Sequence, residues 1–103
     1  MEEIVIKKTP MSGGKKVKVT FELKPNSGAT AVSLVGDFNG WSREATPMKL
    51  RKKDGVFAAS LTLPVKQTFQ FRYWIDDQRW ENDWAADDYV PNGHGEDNSV
   101  VHT

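Results

Sequence analysis

Cysteine is absent from the 103 residues, which excludes a disulfide framework, thiolate catalysis and cysteine-ligated metal. Nor is there a surplus of charge, since 14 Lys/Arg balance 14 Asp/Glu. Nucleic acid normally demands a basic surface, so this neutrality argues against it as a partner. No run approaches the roughly 20 apolar residues that span a bilayer, so no membrane partner is expected. The opening "MEEIVIKKTP" holds two acids and no long apolar stretch. It does not read as a secretory signal, and the expected compartment is the cytoplasm. No segment of convincing length has helical periodicity. The length suits one domain with a modest core, too small for a barrel enzyme.

What is present is alternation. "KKVKVTFEL" sets Val17, Val19, Phe21 and Leu23 against Lys16, Lys18, Thr20 and Glu22, a period of two. "PNSG" at 25–28 breaks it with turn residues. "AVSLVGDF" places Val32, Leu34, Gly36 and Phe38 on one face and ends at Asn39-Gly40, read as a tight turn. Val35 breaks the alternation, which implies cover on the other face as well. Residues 48–52 form a charged, edge-like piece, and Asp54-Gly55 turns the chain into "VFAASLTL". "FQFRYWIDD" sets Phe69, Phe71, Tyr73 and Ile75 against Gln70, Arg72 and Trp74, and "NSVVHT" ends as a short strand.

Turn signals recur about every 8–15 residues, the spacing of an all-β sandwich. The expectation is an immunoglobulin-like antiparallel β-sandwich of about seven strands, with Val19, Phe21, Leu34, Phe38, Leu61, Phe71, Tyr73 and Ile75 inside. It occupies residues 15–103, preceded by an N-terminal tail or edge strand at 1–14 whose "KTPMSGG" reads as a loose connection. Residues 81–97 are rich in Asp, Asn, Gly and Pro and read as one long loop, which in a small domain tends to be functional. Charge is polarised along the chain. Residues 1–53 hold eleven Lys/Arg against five Asp/Glu, and residues 54–103 hold three against nine.

The tryptophans carry the functional signal. Trp41, Trp74, Trp80 and Trp84 all sit beside turns or charged residues and outside apolar core positions. Exposed indoles suit a sugar, whose C–H face stacks on the ring while its hydroxyls take forked polar partners. They also suit single-stranded nucleic acid, which needs a positive groove for its phosphates. Around Trp74, Trp80 and Trp84 stand Asp76, Asp77, Glu81, Asp83, Asp87 and Asp88. That surround repels phosphate and is indifferent to a neutral sugar. The carboxylates lie in loops rather than as a flanking catalytic pair, and they lack the spacing of a calcium hand. His94 and His102 lack zinc spacing. No catalytic residue, metal or cofactor is therefore expected. Exposed aromatics also mark protein interfaces, and a protein-interaction domain is the alternative.

In order, "VSLVGDFNGW", "DGVFAASLTL", "FQFRYWIDDQRWEND" and "GEDNSVV" resemble the isoamylase N-terminal early-set domain. This is the family 48 carbohydrate-binding module, which includes the glycogen-binding domain of the AMP-activated protein kinase beta subunit. The likeness spans roughly residues 15–102. It implies an early-set β-sandwich that binds α-1,4-linked glucans such as glycogen, starch and maltooligosaccharides. In multi-domain relatives the module precedes the barrel of debranching and branching enzymes, so a glycogen-metabolism enzyme is an implied protein partner. Many members have lost sugar binding and serve as packing domains.

Carried over residue by residue, the tryptophan closing "GxFNxW" is Trp41 and the one after the long aromatic strand is Trp80. The basic position on that strand is Arg72, and the asparagine before the last strand is Asn98. Strand alternation adds Trp74 as an extension of the sugar-stacking surface. The sequence departs from the family in "DDQRW", which replaces a tighter "DGxW", and in arginine for the usual lysine, a planar fork for a point charge. The 84–97 segment lacks the Leu and Thr of the kinase-subunit domain and resembles that of small stand-alone bacterial members.

Overall fold

A computed structural model describes residues 6–23, 30–83, 86–93 and 95–103. Nine strands are formed among them: β1 (Lys7–Pro10), β2 (Lys16–Leu23), β3 (Val32–Gly36), β4 (Lys49–Arg51), β5 (Val56–Pro64), β6 (Thr68–Ile75), β7 (Arg79–Glu81), β8 (Asp88–Pro91) and β9 (Asp97–His102). They build two antiparallel sheets packed as a sandwich. One runs β1-β2-β5-β4; the other runs β3-β6-β9-β8, with β7 also paired to β6. The fold is the all-β immunoglobulin-like sandwich expected, with more strands than the alternation showed.

The additional strands are short, polar pieces. Lys8–Pro10, read as a loose connection, belongs to β1, where Lys7 faces Thr20 and Pro10 faces Val17. Its residues are all exposed, so burial leaves no pattern in them, and the pairing depends on β2. The 81–97 loop likewise contains the end of β7 and all of β8, held by register against β6 and β9. The Asp54-Gly55 turn joins β4 to β5 as read, with Gly55 left-handed at φ 71°.

Asn39-Gly40 does not make a hairpin. Asp37–Asn39 winds into a 3-10 turn that Gly40 ends in the left-handed region. The Asn39 amide determines this: it accepts the Gly36 N–H (3.1 Å) and donates to the Leu34 carbonyl (2.9 Å) and to Thr46 Oγ1 (3.0 Å). The chain then returns beside β3 through Leu34 N–H to Thr46 O and Met48 N–H to Val32 O, and crosses to the other sheet as β4.

The core lies between the sheets. Val19, Phe21, Leu34, Phe71, Tyr73 and Ile75 are fully buried, while Phe38 and Leu61, expected inside, pack against the core from its rim. For Phe38 the reason is the 3-10 turn, which carries it past the end of β3. Val35 is fully buried on the outer face, as its break in alternation implied. Gly36 is needed for space. A Cβ there would stand 2.5 Å from the Gln70 carbonyl oxygen and 2.8 Å from Phe71 Cβ. Backbone cannot yield cheaply, so Gly36→Ala is expected to cost about 1–3 kcal/mol by overpacking, read as a lowered urea midpoint.

Candidate functional site: an aromatic groove on the five-stranded sheet

Cross-strand partners share a face, so the pairing of Val35 with Arg72 and of Trp74 with Trp80 assigns all four to the outer face of the second sheet. Asn98 joins them from β9, opposite Val90. The 3-10 turn brings Trp41 to the same place. Its backbone N–H bonds the Gly36 carbonyl, and its indole N–H bonds Asp37 Oδ1, both at 2.9 Å. Asp37 in turn accepts the Gln70 N–H of β6 at 2.7 Å, tying the turn to the sheet. Trp41 itself is left-handed at φ 61°. A bulky residue there is a strained outlier, maintained because the bonds around it outweigh the cost.

These pieces line one depression of about 400 Å³ formed by Trp41, Arg72, Trp80, Asn92, Glu96 and Asn98. The Trp41 and Trp80 rings meet edge to face, 6.4 Å apart and 71° between planes. They make a corner rather than a flat shelf. The Arg72 side chain is only 9% exposed, and its Nη1 pairs with Glu96 Oε1 at 2.8 Å. Its Nε–H is buried with no acceptor among the described residues. Asn98 donates to Gln70 Oε1 at 3.0 Å and accepts from Asn92 Nδ2 at 3.4 Å.

Of the residues picked from sequence, Trp41, Arg72, Trp80 and Asn98 line this groove, and Trp74 does not. Trp74 lies behind Trp80, centroids 4.6 Å apart, and its indole N–H bonds Asp77 Oδ1 at 3.0 Å. Trp84 and His94 fall outside the described residues. Asn92 and Glu96 were not among the sugar-site residues picked from sequence; the signal for them was the long polar stretch containing both.

Of the carboxylates around the tryptophans, Asp76, Asp77, Asp83, Asp87 and Asp88 have structural partners, while Glu81 Oε2 is buried with no hydrogen-bond partner among the described residues. Asp83 is buried and accepts the Tyr73 hydroxyl at 2.6 Å. Burial, then the Asp83 charge, pushes the Tyr73 phenol well above its ordinary range, so it stays a donor. Asp87 takes Lys8 Nζ (2.6 Å) and the His102 N–H (2.8 Å). Among the described residues no cluster of three or more His, Asp or Glu could hold a metal ion.

Asp76 Oδ1 gathers the Ala31 N–H (2.8 Å), the Thr30 N–H (2.7 Å) and the Thr30 hydroxyl (2.9 Å), and these bonds hold its carboxyl below the usual carboxylate range. A depressed folded pKa stabilises above the unfolded value of about 3.9, and that contribution is lost as pH falls through the folded pKa. Asp76→Asn, which tolerates the left-handed φ of 52°, should therefore lower the urea midpoint at pH 7. Its gap to the wild type should close in acid; a gap unchanged at pH 2 would contradict the assignment.

Residues 9–90 match the family described as carbohydrate-binding module 48 (isoamylase N-terminal domain). Among curated proteins, the chain is 57% identical over 30 residues to the 1,4-alpha-glucan branching enzyme GlgB of Burkholderia pseudomallei, in strain 668 and in strain K96243 alike. Those 30 residues are 29% of this chain and 4% of the enzyme, so the chain spans a small fraction of the curated relatives it matches.

Proposed function

We propose a glucan-binding role, starting from the fact that this chain belongs to the carbohydrate-binding module 48 (isoamylase N-terminal domain) family. Membership implies carbohydrate binding. The finer reading is non-catalytic binding of α-1,4-linked glucans in the groove of Trp41, Trp80, Arg72 and Asn98, with Asn92 and Glu96 beside them. One observation carries it: two indoles at 71° share a groove with an arginine and two asparagines. The indoles offer faces for the C–H side of a sugar ring, and the guanidinium and amides beside them offer the forked polar partners that its hydroxyls take. The corner also favours a coiled chain over a flat one, and α-1,4 linkages make glucans coil.

Catalysis does not fit the groove. Glycoside hydrolysis needs two carboxyl groups flanking the bond. Glu96 is the one carboxylate among the lining residues, and it already pairs with Arg72. The branching-enzyme likeness favours a 1,4-α-glucan as the ligand and a cytoplasmic glycogen-metabolism enzyme as the protein associate. A packing role is the second reading, favoured by a different surface. Leu50, 52% exposed, borders a depression of about 600 Å³ with Lys49, Arg51, Ala58 and Ser60 on the first sheet.

Native electrophoresis in gels cast with glycogen separates the two. Retardation is expected, and it should barely change between low and high salt because the ligand is neutral. Migration unaffected by glycogen would refute the glucan reading, and retention that collapses with salt would mean that charge rather than ring stacking holds the protein.

A further inference from the structure

Trp74 is the one sugar-site tryptophan picked from sequence that is described yet stays outside the groove, and Arg43 lies over its ring. The Arg43 guanidinium carbon lies 4.0 Å above the centre of the Trp74 ring and 5.2 Å from that of Trp80. Four ångströms is stacking contact. The cation fills the slab above the indole that a pyranose ring would need. Trp80 packs at the same ring, tilted 54°, and the indole edge is committed to Asp77. Trp74 is therefore closed by its neighbours while remaining only half-buried.

Arg43 differs from those neighbours in being removable. It is exposed, and among the described residues its guanidinium meets the two rings and no carboxylate or carbonyl. Its backbone is fixed independently by the turn in which Ser42 Oγ accepts the Glu44 and Ala45 N–H groups, each at 3.2 Å. Rotation of one solvent-exposed side chain uncovers the ring without moving the sheet. Arg72, by contrast, is nine-tenths buried and ion-paired, so it cannot leave in the same way.

We propose that Trp74 is a latent glucose subsite adjoining Trp80, and that Arg43 is the lid that stands in for the sugar there. The inference rests on the glucan reading above and adds a chain-length rule to it. Short glucans occupy the Trp41–Trp80 corner alone. A longer chain reaching past Trp80 must displace Arg43, so the stacking it gains is offset by the cation stacking it breaks. The wild type then discriminates little between short and long oligosaccharides.

The test compares wild type and Arg43→Ala for binding of maltotriose and maltoheptaose, with the indole N–H resonances followed by NMR. For the variant we expect maltoheptaose affinity to rise, on the order of tenfold for one added stacked ring, with maltotriose unchanged. The Trp74 indole signal should shift with maltoheptaose in the variant and hardly at all in the wild type. Arg43→Lys, a point charge that stacks less well, should fall between. If Arg43→Ala weakens both sugars, Arg43 is a hydrogen-bonding residue of the site and the lid is refuted. Unchanged binding of both, or a gain without a Trp74 shift, refutes it equally. Wild-type protein that binds neither sugar would remove the glucan reading and the subsite together, an outcome distinct from wild-type binding without the gain.

Discussion

Phe71→Ala is expected to destabilise the domain by about 3–5 kcal/mol, the range for deleting a buried ring. Phe71 is fully buried at the middle of β6, the strand that joins β3, β9 and β7. Its ring meets Phe21 edge-on at 5.0 Å and Tyr73 at 5.8 Å, and Phe38 closes the rim at 6.4 Å. Removing it opens a cavity between the sheets, beside the tight contact at Gly36. Relaxation is limited, because Phe21 and Tyr73 are anchored in paired strands and Tyr73 is bonded to Asp83. A domain of this size has a total stability of roughly 5–15 kcal/mol, so the variant should be marginal at best. Urea unfolding with an unchanged slope and a strongly lowered midpoint is the expected result. A loss under 1 kcal/mol would mean that the two sheets do not close over this ring.

Trp41→Ala should do the reverse, weakening glucan binding roughly five- to 150-fold while the domain stays folded. One stacked sugar contributes on the order of 1–3 kcal/mol by analogy with base stacking, and about 1.4 kcal/mol is a factor of ten. The fold should tolerate the change because Trp41 is half-buried and outside the core cluster. Its lost indole N–H leaves Asp37 still holding the Gln70 amide. The backbone offers a control. At φ 61° a side chain is disfavoured whatever its size, so Trp41→Gly should be more stable than Trp41→Ala by about 1 kcal/mol and equally poor at binding. Affinity electrophoresis and a melt on the same samples measure both quantities. Unfolding of both variants would make Trp41 a packing residue, and glycogen retention untouched by either would take the stacking surface away from it.

Much of the sandwich is written locally. In β2, β3, β5 and β6 one face is buried and the other is not, or less so, and a period of two in residues such as Val17–Leu23 and Phe69–Ile75 records that difference directly. Even the exception at Val35 was legible, because a buried residue on the outer face must break the alternation. The aromatic surplus beside turns was likewise visible, since an indole outside an apolar run needs either a cover or a ligand.

The rest is decided between segments. β1 and β8 carry little burial pattern, so nothing in "KKTP" or "DYVP" alone distinguishes a strand from a loop; β2 and β9 supply the hydrogen-bonding edges that make them strands. Asn39-Gly40 has the composition of a hairpin turn, yet the Asn39 amide finds Leu34 and Thr46 and winds a 3-10 turn instead, which aims Trp41 across the sheet at Trp80. Glu96 and Asn92 enter the groove because β8 and β9 pair around them, and Arg43 reaches Trp74 from 31 positions away in the chain. Polar side chains in loops follow no period. Composition and alternation therefore determined the sandwich and its unusual indoles, while the meeting of those indoles with Arg72, Glu96 and Arg43 was decided only when distant turns were folded onto one sheet face.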